Sequence, residues 1–432
     1  MGVSRLSSLP QPYHAPRWAG ICSPLVHYGG DAGNAAAHPR CARAGRELLF
    51  GSSGRNRLEE EVTSSAEFDV VVAGGGLAGC ATALTLRQVA PGGRILLLEP
   101  GNYPRHKVCG EFVSAEGIAA LRQMFTAAEL APIMASAPRI AQLRIFIDDS
   151  CVSARIEPAA QSIPRYQLDA FLWQACRSRG IECRQASAQQ IQDNRPFLVS
   201  IGTEAVTASA VVNAAGRWSR LSNPQTAHAA PTATKWIGLK AHFTELRPAD
   251  SVDLYFFPGG YCGVQPVTAH TVNVCAMVRA DAAAELGAVF ALHPALAIRS
   301  HDWQQASEVV STAPLVFHPP RPVNGNVMNV GDAAGFIDPF VGDGITLALL
   351  SGNLAGECLG PWLRREASHD DALANYGHRY RQQLSPLFQK AARVRDVINL
   401  PRPLRSLALR ALRVPSLASL LVRQTRASRL SA

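Results

Sequence analysis

The chain has 432 residues, of which 47% are hydrophobic and 17% charged, with a formal net charge of +9. This length predicts two or three domains, and the composition predicts a large buried core rather than extended disorder. The ten cysteines include no CxxC pair, which argues against a zinc ribbon and a disulfide scaffold, and we expect no bound metal. The positive charge lacks basic–aromatic interleaving, so we expect no nucleic-acid partner. No apolar run approaches the ~20 residues of a membrane-spanning helix, so we expect no bilayer span. The scattered cysteines fit a reducing compartment, so we expect a cytoplasmic protein.

Residues 1–66 differ in composition from the rest of the chain. They contain Pro, Gly, Ser, Ala and Arg without clear periodicity, and Asp31 is the first acidic residue. We predict a disordered extension or a wrongly assigned start. A targeting segment is the alternative, because such segments are rich in Arg and Ser and poor in acidic residues.

A strand–turn–helix–strand unit begins at Phe68. The valine-rich run over 68–73 is typical of a buried parallel strand. A glycine-rich turn follows, then a predicted helix over 80–90 and a second apolar strand over 94–98. This order and length are those of a dinucleotide-binding βαβ unit.

The turn carries a GxGxxG pattern, followed 20 residues later by an acidic residue. In such turns one glycine permits the tight bend, one lets the backbone approach a pyrophosphate, and one allows close helix–strand packing. The free N–H groups at the start of the helix attract phosphate, and the carboxylate accepts hydrogen bonds from a ribose. The predicted dinucleotide-binding residues are Gly74, Gly76, Leu77, Ala78, Gly79 and Glu99.

A second motif lies about 250 residues downstream, over 331–344. The predicted strand over 327–330 runs into Asp332, which is placed to bind hydroxyls of a ribityl chain. A loop with Gly342 and Gly344 follows, and then a predicted helix over 345–359. The N-terminus of that helix can face the pyrimidine edge of a flavin. The two motifs together predict FAD rather than NAD.

Both motifs, together with the segment over 211–219, resemble the para-hydroxybenzoate hydroxylase superfamily of FAD-dependent oxidoreductases. Within that superfamily the chain resembles the geranylgeranyl reductase family and related flavin monooxygenases. The stretch over 103–111 is similar to the family's lysine- and cysteine-containing segment. The resemblance covers about residues 67–360.

The resemblance implies roles for individual residues. The glycine turn and Glu99 would hold the ADP half of FAD, and Arg165 would approach the phosphates or the ribityl chain. Asp332 would bind the ribityl side, and the two glycines of the second motif would lie beside the isoalloxazine. The candidates near the flavin ring, where a catalytic role is possible, are Lys107 and Cys109. His106 and His242 are candidate acids or bases because imidazole titrates near neutrality, with a structural role as the alternative.

The chain also departs from the family pattern. Gly263 stands where the family has a tryptophan in its Tyr-x-Trp segment, and Ala215 stands where an aspartate is usual. The lysine stretch is also similar to flavin-dependent halogenases, but Phe112 occupies the position of their serine, and the chain has no Trp-x-Trp-x-Ile-Pro segment. We therefore do not favour halogenation.

The predicted fold class is α/β. A Rossmann-like FAD-binding domain is expected over 67–139, 164–235 and 320–365, with an inserted antiparallel β-sheet substrate domain over 140–163 and 236–319. Helices are expected over 366–432, and no acidic residue follows Asp396. These basic amphipathic helices either pack on the catalytic body or make peripheral contact with a membrane.

The leading functional hypothesis from the sequence is an NAD(P)H- and O2-dependent monooxygenase of a lipophilic or aromatic metabolite. Because no second GxGxxG follows, NAD(P)H is expected to bind only transiently, as the reductant. One alternative is a geranylgeranyl-reductase-like flavoenzyme that saturates prenyl double bonds. An alternative from another class is a non-catalytic flavin-binding protein.

Overall fold

A computed structural model describes residues 66–217, 221, 235–313, 315, 319–339 and 342–398. The predictions for residues 1–65 and for the basic helices beyond 398 lie outside these ranges. So do parts of two predicted motifs, at 218–219 and 340–341.

The strands and helices are numbered in chain order. The strands are β1 (Phe68–Ala73), β2 (Ile95–Leu98), β3 (Phe112–Val113), β4 (Arg139–Ile147), β5 (Ser150–Ser162), β6 (Glu182–Arg184), β7 (Ala188–Gln192), β8 (Phe197–Ile201), β9 (Glu204–Asn213), β10 (Trp236–Thr244), β11 (Ser251–Phe257), β12 (Gly260–Thr268), β13 (Thr271–Arg279), β14 (Val310–Thr312), β15 (Val323–Asn324) and β16 (Val327–Asn329). The helices are α1 (Leu77–Val89), α2 (Ala115–Met124), α3 (Ala127–Met134), α4 (Arg165–Ser178), α5 (Leu286–Phe290), α6 (Pro294–Arg299), α7 (Gly344–Leu363), α8 (His369–Gln383) and α9 (Ser385–Ile398).

The first sheet has the strand order β15-β16-β9-β1-β2-β6. The pairs from β16 to β6 are parallel, and α1 forms the crossover between β1 and β2. The antiparallel strands β7 and β8 extend the sheet from the first half of β9. The central strand β1 is almost entirely buried because its residues are nearly all apolar, as a parallel strand covered on both faces requires. The predicted Rossmann-like βαβ unit is confirmed.

The second sheet has the order β14-β10-β13-β12-β11-β4-β5-β3. Its described neighbours are antiparallel except for β4 and β11, which run parallel with Leu143 beside Val252. The expected antiparallel sheet is therefore mixed. The chain leaves this sheet after β5, forms β6–β9 of the first sheet and returns, so β4 and β11 can meet in the same direction. The α/β class with two sheets and helices after residue 366 is confirmed, whereas the exact domain boundaries stay a prediction.

The helices α1 and α7 pack closely along their lengths through small residues. A Cβ on Gly352 would lie 2.3 Å from the carbonyl oxygen of Ala78, and one on Gly356 would lie 2.7 Å from Cβ of Thr85. Only glycine permits this approach. The pair therefore brings two helix N-termini, one from each half of the chain, to the same side of the first sheet.

The helices α8 and α9 follow α7. The N-terminus of α8 has a capping box in which Ser368 and Asp371 bind each other's backbone N–H groups. Tyr376 is fully buried, and its hydroxyl donates to the carbonyl oxygen of Asn329, 2.6 Å away, which ties α8 to β16. Within the described ranges, no helix is both long enough and apolar enough to cross a bilayer.

Candidate functional site

A cavity of about 410 Å³ lies at the carboxyl end of β1. Its lining joins the glycine turn, the N-termini of α1 and α7, and residues of β10, β12 and β13 from the second sheet. The predicted site residues that line it are Gly74, Gly76, Leu77, Ala78, Glu99, Lys107, Cys109, Arg165, Asp332, Gly342 and Gly344. The fold therefore brings together segments that are far apart in the sequence.

Each glycine of the turn meets a different constraint. Gly74 has φ +117°, and a Cβ there would lie 2.3 Å from the carbonyl oxygen of Ala214. A Cβ on Gly79 would lie 1.8 Å from the carbonyl oxygen of Gly74, so Gly79 serves close packing and is not among the residues that line the cavity. A Cβ on Gly76 would have Lys107 Nζ as its nearest described neighbour, 3.9 Å away. The second glycine thus leaves the turn open to the cavity.

Both helix N-termini at the cavity lack a side-chain cap among the described residues. The N-cap of α1 is Gly76, and α7 begins at Gly344, where a Cβ would meet no described atom within 4 Å. The first N–H groups of a helix have no partner within the helix, so these two ends offer donors and partial positive charge to an anionic ligand. A dinucleotide with a pyrophosphate and a polar flavin edge fits this donor set.

Glu99 follows β2 and is 5% exposed. One carboxylate oxygen accepts from the N–H of Gly75 at 3.1 Å, and the other accepts from the N–H of Gly101 at 3.0 Å and from Arg105 at 2.6 Å. These bonds hold the carboxylate at the wall of the cavity, beside the glycine turn. Its contact with a ribose stays a prediction.

Lys107 and Arg165 share a partner that the sequence reasoning missed, the buried carboxylate of Asp169. Lys107 Nζ lies 2.7 Å from Asp169 Oδ1, and an Arg165 nitrogen lies 2.9 Å from the same atom. Burial opposes ionisation of Asp169, but the two cations outweigh it and lower its pKa to about 2. Arg165 and Asp169 are four residues apart on α4, a helical spacing that offered a signal.

The position of Lys107 bears on its expected role. Its ammonium group lies beside Gly76 and donates to the hydroxyl of Tyr103 at 2.8 Å. Burial lowers the pKa of Lys107, although Asp169 acts in the opposite direction. Lys107 therefore lies at the glycine-turn end of the cavity, and its proximity to the flavin ring stays a prediction.

Asp332 lies in a 3₁₀ turn directly after β16. Its carboxylate is 3.5 Å from the guanidinium of Arg217, which also lies 4.1 Å above the ring of Phe336. Arg217 lines the cavity and was not among the predicted site residues. The pair places one cation and one anion where hydroxyl groups of a ligand could bind.

Cys109 lies at the cavity wall. Its sulfur accepts the backbone N–H of Glu111 at 3.3 Å, and its carbonyl oxygen accepts from Asn273 at 3.0 Å. Burial raises the pKa of the Cys109 thiol, which disfavours the reactive thiolate. The contact with Asn273 instead links the segment that contains Cys109 and Glu111 to strand β13 of the second sheet.

Glu111 is the centre of a buried charged group that the sequence reasoning missed. Its two carboxylate oxygens lie 3.1 Å from Lys240 Nζ and 2.7 Å from His242 Nε2, and Lys240 Nζ also lies 3.1 Å from His106 Nδ1. His106 and His242 were candidate acids or bases, whereas Glu111 and Lys240 were not. The sequence does contain a signal for this group, because a lysine and a histidine stand among the mostly apolar residues of strand β10.

An apolar face completes the cavity. Tyr261 and Met277 of the second sheet form it together with Leu315, which follows β14, and Phe336, which follows β16, and all four belong to one buried apolar cluster. Burial raises the pKa of Tyr261, so its phenol stays neutral. The cavity therefore combines a polar end, formed by the backbone, with an apolar wall formed by side chains.

Comparisons with known proteins agree with this arrangement. Residues 69–243 match the family model for lycopene cyclase protein. Digeranylgeranylglycerophospholipid reductase 3 of Methanosphaera stadtmanae is 30% identical over 189 residues, 42% of this chain and 46% of that protein. Digeranylgeranylglycerophospholipid reductase 2 of Methanopyrus kandleri is 24% identical over 363 residues, 77% of this chain and 87% of that protein. The chain thus aligns with less than half of the first relative and with most of the second.

Solved structures share the fold. A geranylgeranyl bacteriochlorophyll reductase-like protein from Thermoplasma acidophilum has a TM-score of 0.66 at 18% identity, over 84% of this chain and 96% of that chain. A flavin-dependent brominase has a TM-score of 0.65 at 17% identity, over 83% of this chain and 93% of that chain. Fold, glycine turn and sequence relatives together show that the chain resembles FAD-dependent oxidoreductases, the geranylgeranyl reductases among them.

Proposed function

We propose that this protein is an FAD-dependent reductase that saturates carbon–carbon double bonds in a lipophilic, isoprenoid-like substrate. The observation that carries the proposal is the apolar face formed by Tyr261, Met277, Leu315 and Phe336, which lines the same cavity as the glycine turn. A hydrocarbon chain bound on that face would be removed from water and held beside the cofactor.

The proposal assigns a different role to each part of the cavity lining. The uncapped N-termini of α1 and α7 would bind the polar groups of FAD, with Glu99 at a ribose. Bound FAD would supply the hydride chemistry, which the protein's own side chains cannot perform. Tyr261 and Phe336 would exclude water and orient the substrate. NAD(P)H, bound transiently, would be the reductant.

The second candidate is the monooxygenase that the sequence favoured. The named relatives are reductases, which is why reduction stands first here. Hydroxylation is supported by Gly263, the departure from the family's tryptophan. Gly263 shares a face of β12 with Tyr261, which lines the cavity, so the missing ring alters the strand that carries part of the apolar face.

The test supplies purified protein with FAD, NADH or NADPH, and a geranylgeranyl lipid, with and without O2. If the protein is a reductase, mass spectrometry shows a product that has gained hydrogen, at the same rate in both atmospheres. If it is a monooxygenase, the product forms only with O2 and carries oxygen from isotopically labelled O2. A reduced flavin that is inert to both substrate and O2 would instead support a non-catalytic flavin-binding protein.

A lipophilic substrate gives a reason for membrane contact, so we also propose that the basic segment after Asp396 binds anionic membranes peripherally. Co-sedimentation with phosphatidylglycerol vesicles would be compared for the full chain and a chain ending at residue 398. Equal binding of the two would refute this proposal.

A further inference from the structure

The buried group around Glu111 lies at the junction of three segments. Glu111 follows β2, Lys240 and His242 project from β10, and the N–H of Arg165 at the start of α4 also donates to Glu111, at 3.1 Å. The carboxylate therefore accepts from three donors. A hydrogen-bonded array of this kind is able to pass protons between its members.

Burying this charged group is unfavourable to the stability of the fold. Glu111 and Lys240 are both 0% exposed, and removing two charges from water opposes folding even when they are paired. Glu111 also has φ 60°, in the left-handed region that a residue other than glycine rarely adopts. Strain and buried charge at one position favour a functional role over a purely structural one.

The group also connects solvent with the cavity. Glu111 is part of the cavity wall. At the other end, the half-buried ring of His106 lies 4.9 Å from the ring of Tyr166, which is 41% exposed. His106, Lys240 and Glu111 thus form a continuous line of hydrogen bonds from near the surface to the cavity.

Other ionisable groups face this line. Arg165, Cys109 and Cys275 lie on the cavity side of Glu111, and Glu308 acts on His106. Burial, Lys240 and His242 lower the pKa of His106, so its ring is neutral at pH 7 and can accept a proton from solvent. Burial opposes ionisation of Glu111, but His242 and Lys240 outweigh it and lower its pKa. Glu111 thus rests as a carboxylate, which Lys240 Nζ and His242 Nε2 contact.

We propose that His106, Lys240 and Glu111 form a proton relay that carries protons between solvent and the cavity, with His242 positioning the carboxylate. This inference rests on the proposed function only in requiring that a flavin be reduced and reoxidised in the cavity.

The transfer is balanced at every step. For an inward proton, Lys240 gives a proton to Glu111, and Glu111 gives it to the acceptor in the cavity. Because Nδ1 of the neutral His106 ring accepts from Lys240, its proton is on Nε2. The ring therefore flips to turn Nε2–H toward the deprotonated Lys240, accepts a proton from solvent at the outward-facing Nδ1, and gives the Nε2 proton to Lys240. Each group returns to its starting charge, and one proton has passed from solvent to the cavity without oxidation or reduction of a side chain.

The first test measures proton uptake when bound FAD is photoreduced under anaerobic conditions, with a pH indicator dye in weak buffer. The variant His106→Phe keeps the ring but removes its proton-carrying nitrogens, and Glu111→Gln removes the carboxylate with little change in size. Both should slow proton uptake by about 100-fold, the usual contribution of a positioned proton carrier. The matched control His301→Phe, at a side chain that is 84% exposed, should leave the rate unchanged.

Rescue distinguishes a relay from a structural role. Imidazole added to His106→Ala should restore proton uptake in proportion to its concentration, which a purely structural defect would not show. If Glu111→Gln fails to fold, the His106 variants near the surface still decide the matter. Uptake at the wild-type rate in His106→Phe would overturn the relay.

A second readout needs no cofactor. In protein labelled with ¹⁵N in the imidazole rings, Glu111→Gln and Lys240→Met should each change the NMR titration of both His106 and His242. Unchanged titrations would overturn the relay. A protein that reduces no prenyl lipid but whose proton uptake depends on His106 would refute the proposed function alone, whereas full turnover in the His106 and Glu111 variants would refute the relay alone.

Discussion

The two sides of the cavity are built from different parts of the polypeptide. On the side of the first sheet the contacts come mainly from backbone, through the glycine turn and the free N–H groups of α1 and α7. On the side of the second sheet they come from side chains, both the apolar face and the group around Glu111. The backbone side suits a fixed ligand shared by a whole superfamily, and the side-chain side can change with each substrate.

The largest expected effect tests whether the ion pairs beneath the backbone side are essential to its stability. Asp169→Asn leaves Lys107 and Arg165 without their buried carboxylate, which should lower the free energy of unfolding by about 3–5 kcal/mol. Urea unfolding measures it, and Asp281→Asn, in an exposed ion pair, is the control. A loss no larger than in the control would show that this side is stable without these ion pairs.

The same carboxylate gives a pH dependence with a definite sign. The pKa of Asp169 is lowered to about 2 in the folded protein, below its ordinary value of about 4. Its stabilisation is therefore fully present above pH 4 and is lost as the pH falls toward 2. In urea unfolding between pH 5 and pH 2, wild type should lose this contribution and Asp169→Asn should not.

The next effect concerns the glycine turn and tests whether its close packing is needed for cofactor binding. A Cβ in Gly79→Ala would meet the carbonyl oxygen of Gly74 at 1.8 Å, so the turn must shift. We expect a cost of about 1–3 kcal/mol, seen as roughly 10- to 100-fold weaker FAD binding by fluorescence titration. Gly92→Ala is the matched control, because its Cβ would meet no described atom within 4 Å. Equal FAD affinity in the two variants would contradict this view of the turn.

A smaller effect concerns Glu99, a side chain on the backbone side. Glu99→Gln weakens the bonds to Gly75 and Arg105 and removes an acceptor for the ribose. We expect a loss of about 1.5 kcal/mol, or roughly tenfold weaker FAD binding. Glu182→Gln, at an exposed carboxylate on β6, controls for the change of charge. If Glu99→Gln binds FAD as tightly as wild type, Glu99 is not a cofactor residue.

The smallest effect on the cofactor should come from the second sheet. Gly263→Trp places a large ring beside Leu254, whose side chain a Cβ would meet at 3.3 Å. Turnover of a bulky lipid should fall by roughly tenfold while FAD affinity stays unchanged. Gly287→Trp, at an exposed position in α5, is the control. A loss of FAD in Gly263→Trp would show that the two sides are not independent.

The same contrast explains what the sequence could and could not predict. Gly74 and Gly79 were found because steric constraints at the turn leave glycine as the only fitting residue, and Gly76 was found because it completes the same pattern and leaves the turn open to the cavity. The strand over 68–73 was found because burial on both faces demands an apolar run. These are local rules, and they predicted the βαβ unit of the first sheet correctly.

The group around Glu111 follows no local rule. Glu111 and His242 are 131 positions apart, and many residue types can supply a buried charge or its partner. The parallel pairing of β4 with β11 was missed for a similar reason, because it depends on the path of the chain through the other sheet. Asp169 was missed although its spacing from Arg165 was visible, since the same spacing is common on exposed helices.

The close packing of α1 against α7 has a consequence for how a ligand binds. Glycines such as Gly352 let the two helices touch at backbone level, so their N-termini stay at a fixed separation. A ligand that reaches both ends is then bound as a chelate. Once one end is seated, the other end has a high effective concentration at its own subsite. Two individually weak subsites can therefore retain the whole cofactor while each half alone would dissociate readily.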